Sequence, residues 1–475
     1  MKRIIASLLL VALLVTGMAA LTGCNGDNTD GNGNGGASAA PDITDSTGGN
    51  INYDGSAVTI TFYHSMGKAL QDVLNNAIEE FNKTYPNITI VHSSYGDYDG
   101  VRDQIKTEIP VGNQPNIAYC YPDHVALYNK AGAVQTLDDL IADTNVGFTQ
   151  AQLDDFIEGF YEEGRAFGDG KMYSLPLSKS TEVLYYNKTF FDQHGLTVPT
   201  TWEQMEAVCR QIKTIDPESI PLGYDSESNW FITMCEQYGS AYTSATGENF
   251  LFDNDTNKAF VAEFREWYQD GLVTTESLSG GYTSNNFKDP AAPTRSYMCI
   301  GSSAGAGYQK PAYTTNEETG DLEYLFEVGI TSIPQVNVNN PKVISQGPSV
   351  CIFKKSNAQE VIASWLFVKF LTTNVDFQAG VSMSNGYMPV IKSVSENEIY
   401  KAFLADISTE NLQAYAVKVA LEQEAAYYAS PAFNGSSIAR DQVGLLLAAC
   451  LSNPGLDIDE AFADIIDTCK TEQGK

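Results

Sequence analysis

The stretch Gly301-Ser-Ser-Ala-Gly305 has the G-x-S-x-G spacing of a nucleophile elbow, with Ser303 as the attacking hydroxyl. That chemistry needs an acid and then a histidine after the serine in chain order. All four histidines, His64, His92, His124 and His194, precede Ser303, so the hydrolase reading fails on order. Carboxylate pairs of the kind that hydrolyse glycosides are a separate matter. The chain carries 59 acidic residues, and spacing in sequence does not give separation in space, so a secreted glycoside hydrolase stays open as an alternative. Asp253-Asn-Asp-Thr-Asn257 begins like a calcium loop, yet Lys258 stands where the turn glycine belongs and Phe264 where the bidentate glutamate belongs. It reads better as a helix start, with Asp or Asn capping free N–H groups before Ala259. The histidines show no metal-ligand spacing, and neither metal nor cofactor is expected.

Recognition of a hydroxylated small molecule is a better match to the residues. Hydroxyls need fixed hydrogen-bond partners, and the apolar faces of sugar rings suit flat aromatic surfaces. Tyr63-His-Ser-Met66, Tyr95-Gly-Asp-Tyr98 and Tyr119-Cys-Tyr-Pro-Asp123 offer both, and Trp230 directly follows the polar run Asp225 to Asn229. Any one of these aromatics could equally be core packing. Together they predict a cleft.

The elements that would position them alternate strand with helix. Val58-Thr-Ile-Thr-Phe-Tyr63 has period two, and Leu70, Val73, Leu74, Ala77, Ile78 and Phe81 mark one face of a helix ended by Tyr85-Pro86. Ile88 to Val91 is the next strand and Val101 to Pro110 the next helix. The pattern returns after Thr181, with Leu184-Tyr-Tyr186 as strand and Trp202 to Ile212 and Ala259 to Tyr268 as helices. A βαβα order predicts mainly parallel sheets with binding crevices at the carboxyl ends of strands, and two α/β lobes are the natural parse.

Residues 1–23 read as a signal peptide: Lys2 and Arg3 precede an apolar run too short to span a bilayer. Leu21-Thr-Gly-Cys24 resembles the bacterial lipobox, which makes Cys24 the lipidated residue and residues 24–56, rich in Gly, Asn, Asp, Ser and Thr, a flexible linker. The chain would then be exported and anchored on the outer face of the cytoplasmic membrane through that lipid only. The formal net charge is −31, and removal of Lys2 and Arg3 takes it to −33. A surface of that sign disfavours nucleic acid and anionic membrane as partners. The seven remaining cysteines are widely spaced, form no C-x-x-C, and read as buried small hydrophobes, with one long-range disulfide left open.

Leu175-Pro-Leu-Ser-Lys-Ser-Thr-Glu-Val-Leu-Tyr-Tyr-Asn-Lys188, followed by Phe190, Gly195-Leu196 and Pro199-Thr-Thr-Trp202, resembles the central signature of family 1 extracellular solute-binding proteins. Tyr297 to Gly305, Val328 to Pro334, Ser364 to Thr373 and Gly386-Tyr-Met-Pro389 extend the resemblance over nearly the whole exported chain. These are ligand receptors of ABC importers. The resemblance implies a type II two-lobed periplasmic-binding-protein-like α/β fold, monomeric, with residues 57–180 and 301–373 in one lobe and 181–300 and 374–475 in the other. The chain would cross between lobes near Ser180, Ile300 and Thr373, forming a hinge. A ligand that touches both lobes shifts the population toward the closed form, which a membrane permease would recognise.

Within the family, the segments Phe62 to Met66, Gly96 to Asp99, Lys179 to Thr181, Ser302-Ser303, Gly347, Gly386-Tyr387 and Ile438 to Arg440 look most like the glycerol-3-phosphate-binding branch. Carried over by position, Tyr98, Ser180, Ser303, Gly347, Tyr387 and Arg440 would be ligand contacts, and Asp123 would bind polyol hydroxyls. Arg440, with serine hydroxyls and the Gly347 N–H, would suit a phosphate, because a guanidinium fork matches its oxygens. The bland role for Arg440 is a surface ion pair with Asp441 or a distant carboxylate. The expectation placed first is a carbohydrate, sugar or oligosaccharide, delivered to an ABC permease. Glycerol 3-phosphate or a glycerophosphodiester is the alternative, and a ligand receptor for a sensor kinase would share every feature.

Overall fold

The computed structural model describes residues 40–474. The expected signal peptide and Cys24 lie outside them. The patterned segments of the first half become β1 (Val58–His64), α1 (Lys68–Thr84), β2 (Ile88–Ser94), α2 (Tyr98–Glu108), β3 (Ile117–Cys120) and α3 (Pro122–Asn129). Leu70, Leu74, Ala77 and Phe81 form the buried stripe of α1. Pro86 disfavours helical backbone at Tyr85 and ends it there. After β4 (Ser174–Pro176) come β5 (Glu182–Asn187), α4 (Trp202–Ile215), β6 (Leu222–Tyr224), α5 (Glu227–Tyr238), α6 (Asp255–Gln269), β7 (Val273–Thr275), β8 (Met298–Ser302) and β9 (Val328–Ser332). The chain continues through β10 (Ser349–Ile352), α7 (Ala358–Thr373), α8 (Val375–Asn385), α9 (Leu412–Glu422) and α10 (Ser436–Ser452). As expected, the calcium-like stretch is a helix start: Asn254 Oδ1 accepts the Asn257 N–H at 3.0 Å at the head of α6.

Two five-stranded sheets result, in the orders β2-β1-β3-β10-β4 and β9-β5-β8-β6-β7. β1 runs parallel to β2 and β3, and β6 parallel to β7 and β8. The sheets are less parallel than the βαβα reading predicts. β10 is antiparallel to both β3 and β4, and β5 is antiparallel to β8 and β9, because each of these strands enters its sheet from a crossing and not from a helix on its face. One core gathers Phe62, Leu74, Phe81, Ile117, Leu175, Val350, Trp365 and Phe367 around the first sheet. The other gathers Leu184, Trp202, Tyr224, Phe264, Trp267, Ile300 and Leu447 around the second.

Two of the expected crossings move. The run Val328 to Ser332 pairs with the free edge of β5 in the register Val328↔Asn187 to Ser332↔Val183, so the chain does not leave the second sheet near Ile300. It leaves at Ser345–Ser349. Phe377 and Val381 of α8 sit in the first core, so the last crossing falls at Gly386–Val390 and not near Thr373. The linker also ends earlier than expected. Ile43 and Ile51 are buried against the first core, Gln135 donates to Asp42 at 2.7 Å, and Gln359 Nε2 donates to the Asn52 carbonyl at 3.1 Å. Two isolated isoleucines in a polar stretch were enough to hold this strap. The seven described cysteines are all buried and unpaired.

Candidate functional site

Three crossings lie side by side between the lobes and are hydrogen-bonded to one another. The Ser180 N–H donates to the Gln346 carbonyl at 2.7 Å and the Ser180 carbonyl accepts the Gln346 N–H at 2.9 Å, while the Lys179 and Met388 backbones pair on the other side at 3.2 and 2.6 Å. Gly347 makes this packing possible. Its φ is +94°, and a Cβ there would sit 2.6 Å from the Ser178 carbonyl oxygen. The Lys179 ammonium, with no exposed surface, pairs with buried Glu163 and donates to the Gly347 carbonyl at 3.3 Å. A buried ion pair with a third polar partner meets the condition under which such a pair is tolerated in an interior.

A cavity of about 60 Å³ opens beside these crossings, between the lobes. The first lobe lines it with Tyr121 and Asp123, at the head of α3, together with Glu163. The second lobe contributes Tyr242, Ser430, Ser436 and Arg440, and the crossing itself adds Ser345 and Gln346. Three hydroxyls at this wall, Tyr242 Oη, Ser345 Oγ and Ser430 Oγ, are buried and find no partner among the described residues. Buried polar atoms are usually paired, and these three lie together on one wall. The α10 helix starts here after Gly435, which gives no side-chain cap, and the Ser436 N–H donates to the Phe433 carbonyl at 3.0 Å.

Arg440 donates through Nη2 to Asn229 Oδ1 and pairs with no carboxylate among the described residues. Its sequence neighbour Asp441 is instead engaged by Arg102 of the first lobe at 3.4 Å. Asn229 Nδ2 donates to Glu182 Oε1 at 3.0 Å and to Gln346 Oε1 at 2.9 Å, and Glu182 Oε2 accepts the Tyr224 hydroxyl at 2.6 Å. Burial pushes the Glu182 carboxyl up to about 7, against the pull of those hydrogen bonds and of Arg440. Asp441 is likewise pushed up by burial to about 6, opposed by Arg102.

The residues singled out from sequence fall into five places. Asp123 and Arg440 line the cavity, one from each lobe. Tyr98 and Tyr387 meet through their hydroxyls at 2.9 Å, with Tyr98 packed on Tyr121 at 4.8 Å between centroids. Ser180 and Gly347 belong to the crossings. Ser303 lies beneath them, fully buried, its backbone donating to the Thr181 carbonyl at 2.8 Å and its Oγ accepting the Thr181 N–H at 3.3 Å. Trp230 does not line the cleft. It has no exposed surface and stacks on Tyr224 at 5.0 Å and Phe264 at 4.2 Å inside the second core. The reason is helical phase: Asp225 to Asn229 is not all loop, since α5 begins at Glu227 with Ser226 as its cap, and this sets Asn229 toward Arg440 and Trp230 into the core. Sequence reading passed over Asn229, Glu182, Tyr242 and the Lys179–Glu163 pair. Only the polar run ending at Asn229 held a signal, obscured by the missed helix start.

Two α/β lobes joined by three adjacent crossings, with polar groups from both facing one cavity, define a ligand-clamping receptor fold. The chain belongs to the bacterial extracellular solute-binding protein family, whose model matches residues 76–406. It is similar to the sn-glycerol-3-phosphate-binding periplasmic protein UgpB of Shigella dysenteriae, 28% identical over 161 residues, which are 33% of this chain and 36% of that one. The UgpB of Escherichia coli strain K12 matches at 27% over 161 residues, again 33% of this chain and 36% of the relative. The match thus spans about a third of the length of these relatives. Whole-chain likeness appears among solved structures. UgpB from Mycobacterium tuberculosis in complex with glycerophosphocholine superposes with a TM-score of 0.70 at 18% identity, covering 88% of this chain and 99% of that one. The GacH receptor of Streptomyces glaucescens, solved unliganded and with acarbose, gives 0.68 at 18% identity, covering 87% and 98%. At that identity they establish the fold.

Proposed function

We propose that this chain is the ligand-capturing subunit of an ABC importer, closing its lobes around a carbohydrate and handing it unaltered to a membrane permease. The observation that carries this reading is the convergence of Asp123 from one lobe and Arg440 from the other on a single cavity at the crossings. Asp123 accepts from ligand hydroxyls, while the Tyr121 and Tyr242 rings supply flat faces. The protein works as a monomer, held on the outer face of the cytoplasmic membrane by a lipid on Cys24. A thermal-shift screen of sugars, polyols and phosphodiesters tests the reading, since a ligand that binds only the folded form raises stability. Turnover of any sugar by the purified protein would replace it with an enzyme.

A second reading has its own support. Arg440 lacks a carboxylate partner among the described residues, and three unpartnered hydroxyls share its wall. That set suits the oxygens of a phosphate, as in glycerol 3-phosphate or a glycerophosphodiester. Affinity that falls with added salt selects this ligand class, and affinity indifferent to salt selects the neutral sugar.

A further inference from the structure

We propose that Glu182 and Asn229 act as a positioning pair for Arg440, the carboxyl locking the Asn229 amide so that its oxygen faces the guanidinium. The proposal rests on the reading above only in taking Arg440 as a ligand contact. An amide has two N–H donors and one acceptor oxygen, whereas a guanidinium has donors alone. Asn229 spends both donors, one on Glu182 Oε1 at 3.0 Å and one on Gln346 Oε1 at 2.9 Å, which leaves Oδ1 for Arg440 Nη2. A reversed amide would set donors against donors. Glu182 is itself pinned, by the Tyr224 hydroxyl at 2.6 Å and through its backbone carbonyl by Gln423 Nε2 at 3.3 Å. Asn229 is 4% exposed and Glu182 1%, so water does not compete for these bonds. The chain of bonds thus runs from β6 through β5 and α5 to the cavity, with Gln346 tying it to the crossing that pairs with Ser180.

The test reads Arg440 directly, without ligand. In ¹⁵N spectra of the guanidinium groups, assigned by loss of a signal in Arg440→Met, a held guanidinium shows separate Nη resonances and a freely rotating one shows a single average. Wild type and Glu182→Gln, which keeps an acceptor for Asn229 and can donate to the Tyr224 oxygen, are expected to show separate signals. Glu182→Ala and Asn229→Ala are expected to show the average, and Glu182→Met fills the volume without an acceptor should the alanine variant fail to fold. Restrained Arg440 signals in folded Glu182→Ala or Glu182→Met protein would overturn the proposal. Calorimetry with sn-glycerol 3-phosphate and with maltose supplies the second arm. Whichever binds should lose roughly tenfold in affinity in Glu182→Ala, the scale of one hydrogen bond to a charged group, and regain it in Glu182→Gln. Equal loss in both variants would also overturn it. Failure of both probes to bind, with the spectra as expected, counts against the ligand reading and leaves the positioning pair standing.

Discussion

Arg102 on α2 reaches across the cleft to α10, where Nη1 lies 3.4 Å from Asp441 Oδ2 and 3.2 Å from Ser437 Oγ. The same guanidinium is anchored in its own lobe by Asp99 at 3.0 Å and Asp103 at 2.9 Å. A contact of this geometry is expected to act as a latch between the lobes, with two carboxylate partners on one side and one on the other. A partly exposed pair of this kind contributes at most about 1 kcal/mol.

Arg102→Ala should consequently shift the ligand-free protein toward the open form without unfolding it. Small-angle scattering is expected to report a larger radius of gyration, and ligand affinity should fall by up to about fivefold. An unchanged scattering profile would count against the latch.

Arg440→Lys and Arg440→Met separate the two ligand classes. For a phosphate-bearing ligand, losing the fork should weaken binding by roughly thirtyfold or more, with lysine recovering only part because it offers a point charge and no bidentate geometry. For a neutral sugar both losses should be far smaller. Calorimetry at two salt concentrations reads the difference.

Trp230→Ala is predicted to act on stability. Removing a fully buried indole from between Tyr224 and Phe264 should cost about 3–5 kcal/mol in a urea melt. Tyr242→Phe should do the reverse: it deletes a hydroxyl with no partner among the described residues, so stability should change by less than about 1 kcal/mol while ligand affinity drops.

Acid should loosen the first lobe through His64. The ring is fully buried, its Nδ1 accepts the Met66 N–H at 3.1 Å, and its Nε2 meets His92 Nδ1 at 2.9 Å. Burial and the neighbouring His92 lower its pKa to about 4. The unfolded chain binds the proton more readily, so the full contribution is present above about 6.5 and is lost as pH falls toward 4. Unfolding free energies from urea melts across that window should decline by up to about 3 kcal/mol in wild type and less in His64→Gln.

Much of this protein is readable from residue order alone. The stripe Leu70, Leu74, Ala77 and Phe81 can be satisfied only by a helix packed on a sheet, and period two over Val58 to Tyr63 only by a strand. Caps and breakers such as Asn254 and Pro86 act within a few residues, so they too are visible locally. The resemblance of their segments points to Asp123 and Arg440 as ligand contacts, and the structure puts both residues at one cavity.

What the tertiary structure alone decided are matters of partner and phase. A strand does not announce which edge will accept it, and Val328 to Ser332 could be assigned to β5 only when the free edge existed in space. A one-residue rotation around α5 separates Asn229, bonded to Arg440, from Trp230 in the core, a difference that depends on where Ser226 starts the helix. The links Glu182–Asn229 and Asn229–Arg440 join residues 47 and 211 positions apart, so their hydrogen bonds have no local imprint. Short-range stereochemistry wrote the elements, and long-range packing chose which side chains meet.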